Sequence, residues 1–287
     1  VPAAIETLKK RGHLYEQDGA LWFRTTEYGD DKDRVLMRSN GVPTYFTSDI
    51  AYHKEKFDRG FDRVVDVWGA DHHGYVPRMK AAVEALGYDP AKFSILLIQF
   101  VNLLRDGEQV KMSTRSGQFI PLQDVIDEVG VDATRYYFLM RRSDSHLDFD
   151  LELAKSQSAD NPVYYVQYAH ARLCSILQKA AEKHIALPSP EAFDAEQIVS
   201  PEEKRLFTRL AAFSDEVERA AAELEPHRIV NYVYELAGDF HSYYNSGSRI
   251  LEESGPQQRS HLLMVEAVRV VLTNALRLLG ITAPEKM

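Results

Sequence analysis

Apolar positions change their spacing along the 287 residues: short apolar runs mixed with helical periods come first, and from about residue 162 onward the spacing is almost wholly helical. Residues 2–10 read as a helix, with Pro2 in its first turn and Gly12 past its end. Residues 14–16 and 20–25 flank Asp18-Gly19, a strong hairpin signal, and residues 35–38 and 44–46 flank Ser39-Asn40-Gly41-Val42-Pro43, so that strands frame Asp49. Val64-Val65-Asp66-Val67-Trp68 has the unbroken apolar character of a buried parallel strand. It runs into Gly69-Ala70-Asp71-His72-His73-Gly74 and then into an amphipathic helix over residues 76–86. A second strand is predicted over residues 94–100, followed by a hairpin at Asp106-Gly107.

Beyond the loop at residues 111–117 the pattern turns helical. Pro121 starts a helix, Gly130 ends it, and Asp132 is placed to cap the next one, which runs through Arg142. Longer helices are predicted at 162–184, 201–222, 226–252 and 257–279, with Leu187-Pro188-Ser189-Pro190 as a linker. The organisation is an α/β part joined to an all-α bundle, without internal repeats.

Composition narrows the class. Two domains suit this length, and 45% hydrophobic with 27% charged residues is ordinary for a globular chain. No apolar run reaches the roughly 18 residues of a membrane-spanning helix. The single cysteine, Cys174, excludes an internal disulfide and a cysteine-rich zinc site, and its helical apolar face places it in the core. A net charge of −9 opposes long-range attraction to nucleic acid, yet leaves room for a local basic or aromatic surface.

Three stretches carry candidate chemistry. Lys111-Met112-Ser113-Thr114-Arg115-Ser116-Gly117 offers charge, hydroxyl donors and a glycine that permits close backbone approach, which suits a phosphate as well as it suits a basic surface turn. The Gly69–Gly74 turn sits at the carboxyl end of a parallel strand, where a carboxylate meets ribose and a helix start meets phosphate, so both turns fit one nucleotide. Asp71-His72-His73 also invites a metal, although the other histidines lack ligand spacing. Tyr45 and Asp49, four apart, suit a guanidinium, or equally a packed ring and a helix cap. Asn161-Pro162-Val163-Tyr164-Tyr165-Val166-Gln167-Tyr168 gathers tyrosines at a helix start, either as core or as a stacking surface for unpaired bases.

The sequences G-A-D-H-H-G, V-N-L-L-R-D-G-E-Q-V-K-M-S-T-R-S-G, G-V-D-A-T-R-Y-Y-F-L-M-R-R and N-P-V-Y-Y-V-Q-Y-A-H-A-R-L resemble the C-terminal half of bacterial-type arginyl-tRNA synthetases, over essentially the whole chain. The resemblance implies a partial Rossmann-like catalytic domain at 1–120, a helical stem-contact segment at 121–160 and an all-α anticodon-binding bundle at 161–287. It implies arginine–tRNA ligase activity, with ATP (as its Mg²⁺ complex), arginine and the tRNA for arginine as partners. Cytoplasmic location, a monomer and no resident metal complete the expectation.

By the same resemblance, Lys111, Ser113 and Arg115 act in catalysis, and Tyr45, Asp49 and His72 hold arginine. Gly69, Asp71, His72 and Lys111 hold ATP, with Asp71 on ribose, while Asn161, Tyr165, Tyr168, Tyr244 and Met287 contact tRNA. Thr114 departs from the K-M-S-K-S signature, leaving Arg115 to replace its second lysine. No His-x-Gly-His occurs, so a truncated chain, inactive alone, is expected. The alternatives are a free-standing RNA-binding module with a degenerate nucleotide fold, and a DHH-type metal phosphoesterase.

Overall fold

A computed structural model describes residues 1–110, 120–247 and 249–287. They form two compact units, residues 1–100 and residues 101–287. The predicted sites at Lys111, Ser113 and Arg115 lie outside the described residues.

In the first unit, α1 (Pro2–Lys10) leads to β1 (Leu14–Gln17), β2 (Ala20–Phe23) and β3 (Arg34–Met37), an antiparallel sheet whose first turn places Asp18 and Gly19 at positive φ. The predicted strand at 44–46 is instead the start of helix α2 (Tyr45–Asp58). The hydroxyls of Thr44 and Thr47 donate to the Val35 and Leu36 carbonyls at 2.9 and 2.6 Å, which ties the helix start to β3 without a further strand. Asp49 therefore lies in the early turns of a helix, one residue before the buried Ile50.

The strand β4 (Val64–Gly69) pairs in parallel with β5 (Phe93–Ile98), from Val64 opposite Phe93 to Gly69 opposite Ile98. Between them come a short 3-10 turn, Ala70–Tyr75, and α3 (Val76–Ala85). One sheet face, with Val64, Trp68, Phe93 and Ile95, joins a core built from Leu8, Phe23, Leu36, Phe46, Ile50, Phe57, Met79 and Val83. On the other face Val67 and Ile98 are exposed.

In the second unit, β6 (Val101–Arg105) turns through Asp106-Gly107 into β7 (Glu108–Gln109) and pairs in parallel with β8 (Leu147–Asp150). Leu103, Leu147 and Phe149 share one core with the helices, which is why this strand group belongs to the helical unit. The helices are α4 (Leu122–Val129), α5 (Val131–Leu139), α6 (Leu151–Lys155), α7 (Pro162–Glu182), α8 (Pro201–Ala211), α9 (Phe213–Glu223), α10 (His227–Asn245) and α11 (Gly255–Leu279). The helix predicted over 201–222 is thus two, parted at Ala212, and the one predicted to reach 252 stops at Asn245, just before Gly247 at φ +94°. Asp132 does not cap α5: Gly130 occupies the N-cap, and the Asp132 carboxylate accepts instead from Gln167 and Thr282.

Candidate functional sites

The first unit holds a cavity of about 390 Å³ lined by residues that include Asp49, His53, Asp66, Trp68, His72 and Tyr75. It contains two carboxylates in opposite situations. Asp66, on β4, is buried; His53 Nε2 lies 2.6 Å from one of its oxygens and Lys56 Nζ donates to the other at 2.6 Å. Burial pushes the Asp66 carboxyl up, but the bonds from His53 and Lys56 outweigh it and hold the group below the usual carboxylate range. His53 Nδ1 lies 2.7 Å from the Asp49 carbonyl.

Among the described residues, Asp49 has no such cation. Its carboxylate accepts from the Tyr75 hydroxyl at 2.6 Å, and no ion pair to it is found among the described residues. A compensated carboxylate and an open one line the same cavity, which suits a cationic ligand at Asp49. Tyr75 is buffered against ionisation: burial, and then the Asp49 hydrogen bond and charge, push its phenol up, so it remains a donor.

At the rim lies the turn after β4. His72 is exposed, with Nε2 3.7 Å from the Asp71 carboxylate, while His73 Nδ1 lies 3.1 Å from the Ala70 carbonyl and stays within the turn. A Cβ on Gly69 would come 2.5 Å from Asp71 Oδ1, so this glycine lets the carboxylate fold back over the strand end. The cavity thus joins Asp49 and His72, two of the three residues expected for arginine. Tyr45 is 89% exposed and is not among the lining residues. The contribution of Tyr75 escaped the sequence reading because it lies 26 residues from Asp49, in a different element.

The second unit carries an aromatic surface on α7 and α10. Tyr164 and Tyr168 stack at 6.0 Å and 6°, one turn apart, and the Arg172 guanidinium lies 4.7 Å from the Tyr168 ring and 4.5 Å from the Tyr244 ring. Arg172 also donates to the Tyr168 hydroxyl at 3.0 Å. Burial, assisted by the Arg172 charge, lowers the pKa of His241, whose Nδ1 accepts from Arg172 while Nε2–H donates to the Tyr165 carbonyl. Arg172 was not singled out in the sequence, although its spacing of four from Tyr168 places both on one helix face.

Tyr168, Arg172, Tyr244, Lys179 and Met287 line an open cavity of about 500 Å³. The chain end reaches it because its backbone is tied down: Asp132 accepts from Thr282 N at 3.1 Å, Gln167 donates to the Thr282 carbonyl at 3.0 Å, and His170 Nδ1 donates to the Pro284 carbonyl at 2.9 Å. Tyr165 is partly buried against the core and against His241, at 4.7 Å. Asn161 is only 3% exposed; its amide donates to the Ala154 and Ser156 carbonyls, fixing the entry to α7.

Residues 1–157 match the family model of the class I tRNA synthetase (R) catalytic domain, and residues 166–287 match the DALR anticodon-binding domain. The chain belongs to the arginyl-tRNA synthetase family. It is 59% identical to an arginine–tRNA ligase of Syntrophotalea carbinolica over all of its length and 52% of the relative's, and 53% identical to that of Moorella thermoacetica, with 51% of the relative covered. The chain therefore spans about half the length of the curated relatives it matches.

Among solved structures, an arginyl-tRNA synthetase from Campylobacter jejuni matches with TM-score 0.89 at 37% identity, covering all of this chain and 62% of that one. The Thermus thermophilus arginyl-tRNA synthetase matches with TM-score 0.85 at 24% identity, which speaks to the fold alone, covering all of this chain and 58% of that one. The class I catalytic model and the helical anticodon-binding model account for the α/β and all-α parts, and leave the free-standing RNA-binding module and the metal phosphoesterase without support. No helix among the described residues is long and apolar enough to cross a membrane.

Proposed function

We propose that this chain supplies part of the arginine and ATP sites and the anticodon-binding surface of a class I arginine–tRNA ligase. The arginine carboxylate attacks the α-phosphate of ATP, delivered as its Mg²⁺ complex, pyrophosphate departs, and arginine passes from the adenylate to the 3′ end of its tRNA. No protein nucleophile is required; the protein's share is positioning and electrostatic stabilisation.

The observation that carries this reading is the Asp49 carboxylate, lining a cavity beside His72 and unpaired with any cation among the described residues. A guanidinium supplies the missing charge and forms parallel bonds to it. Tyr45, in the preceding turn of α2, is assigned to cover the ligand from the solvent side. Gly69, Asp71 and His72 are assigned to ATP, with Asp71 on the ribose hydroxyls, and Lys111, Ser113 and Arg115 to the phosphates. Tyr165, Tyr168, Tyr244 and Met287 are assigned to unpaired tRNA bases, joined by Arg172, and Asn161 serves by holding the start of α7. A cytoplasmic monomer is the working state.

The test is Asp49→Asn in the complete enzyme. We expect the KM for arginine in ATP–pyrophosphate exchange to rise about a hundredfold, as for loss of a charged hydrogen-bond partner, with the KM for ATP little changed. An unchanged arginine KM would show that the cavity serves something else.

A further inference from the structure

We propose that Tyr75 is a positioning residue that fixes the Asp49 carboxylate for a cationic side chain and so sets selectivity for arginine over neutral isosteres such as citrulline; this rests on the cavity reading above. The Tyr75 hydroxyl donates to Asp49 Oδ2 at 2.6 Å, and no other hydrogen bond to that carboxylate is found among the described residues. A carboxylate offers four acceptor positions; Tyr75 uses one, which sets the plane of the group and leaves the others for the ligand.

Tyr75 can act this way because its own ring is held. Phe46 meets it edge-on at 5.9 Å, Trp68 packs at 5.8 Å, and the Arg78 guanidinium lies 4.8 Å from its centre. Arg78 is kept there in turn by Asp30, 3.8 Å away, whose carboxylate Arg34 grips through two nitrogens at 2.7 and 2.9 Å. A chain of fixed groups thus runs from β3 to Asp49. Because the phenol is a donor that does not ionise, it orients the carboxylate without cancelling its charge. A neutral ureido group then leaves that charge uncompensated and part of the carboxylate unpaired, which disfavours it.

In the complete enzyme, Tyr75→Phe removes the donor and keeps the ring. We expect the arginine KM in ATP–pyrophosphate exchange to rise about tenfold while the ATP KM stays within about twofold. Discrimination against citrulline should narrow in parallel. Asp49→Asn combined with Tyr75→Phe should be no worse than Asp49→Asn alone, since Tyr75 acts through Asp49. If Asp49→Asn raises the arginine KM but Tyr75→Phe leaves it unchanged, adds to it independently, or weakens arginine and ATP alike, the positioning role is refuted while the cavity reading stands. If Asp49→Asn itself has no effect, the cavity reading falls first.

Discussion

The carboxylates of the first unit show how neighbours decide what one residue type does. Asp66 and Asp30 are neutralised by local cations and hold structure, whereas Asp49, among the described residues, is bonded only by a phenol and remains available. The bonds from Arg34, against the opposing effect of burial, hold the Asp30 carboxyl at about 2, below its ordinary 3.8. Its folded value is depressed, so its contribution to stability is complete above the unfolded value and is lost as pH falls toward 2. Acid titration of the unfolding free energy should therefore show about 2 kcal/mol less loss between pH 5 and 2 in Asp30→Asn than in the parent. Asp66 is depressed in the same direction and adds to the same acid limb. At the rim, Gly69→Ala sets a methyl against Asp71. It should raise the KM for ATP several-fold in exchange assays while leaving the thermal midpoint within about 4 °C, because only an exposed side chain has to move.

Elements in this chain are placed by polar contacts at their ends as much as by propensity. α2 begins where Thr44 and Thr47 bond β3, and that start fixes the level of Asp49 in the cavity wall. α8 starts with a reciprocal cap: Ser200 accepts from Glu203 N, and the Glu203 carboxylate accepts from Ser200 N. The same carboxylate lies 3.2 Å from His261 on α11, whose other ring nitrogen lies 2.8 Å from Glu253, so the cap is also a joint between helices. Ser200→Ala should destabilise the chain by about 1 kcal/mol in urea unfolding, as for other lost caps. It should not alter the arginine KM, because the cavity lies in the other unit.

At the scale of the whole molecule, a net charge of −9 and the tRNA ligand proposed above are reconciled by locality. Arg172, Lys179 and Lys286 are the cations lining the cavity at Tyr168 and Tyr244, with Glu285 among them. Affinity at this surface should come mainly from stacking on tyrosine and guanidinium planes, not from a broad basic field. We expect the logarithm of tRNA affinity to fall with that of salt at a slope of only about 2, the value for three phosphate contacts on single strands. Arg172→Ala should weaken binding more than the loss of one phosphate contact, because it also releases the Tyr168 and Tyr244 rings. Filter binding over a range of salt measures both, and a slope near that of a basic RNA-binding protein would contradict this account.

The amino-acid sequence by itself determined the two hairpin turns, the parallel strand leading into the G-A-D-H-H-G turn, the mainly helical second half and the family, but it read residues 44–46 as a strand where α2 begins and did not mark β8 within the stretch read as helical. What it determined rests on local signals: an unbroken apolar strand, hairpin turns at Asp18-Gly19 and Asp106-Gly107, and a 3.6-residue period. It also marked Asp49, His72, Tyr168, Tyr244 and Met287 as residues of interest. Only the tertiary structure decided which of them meet. It paired Asp49 with Tyr75 rather than Tyr45, committed Asp132 to the chain end in place of a helix cap, and turned the amide of Asn161 inward. The reason is physical: the partners of Asp49 and Asp132, 26 and 150 residues away, are chosen by how the packed elements bring them together, and no periodicity in one dimension encodes that choice.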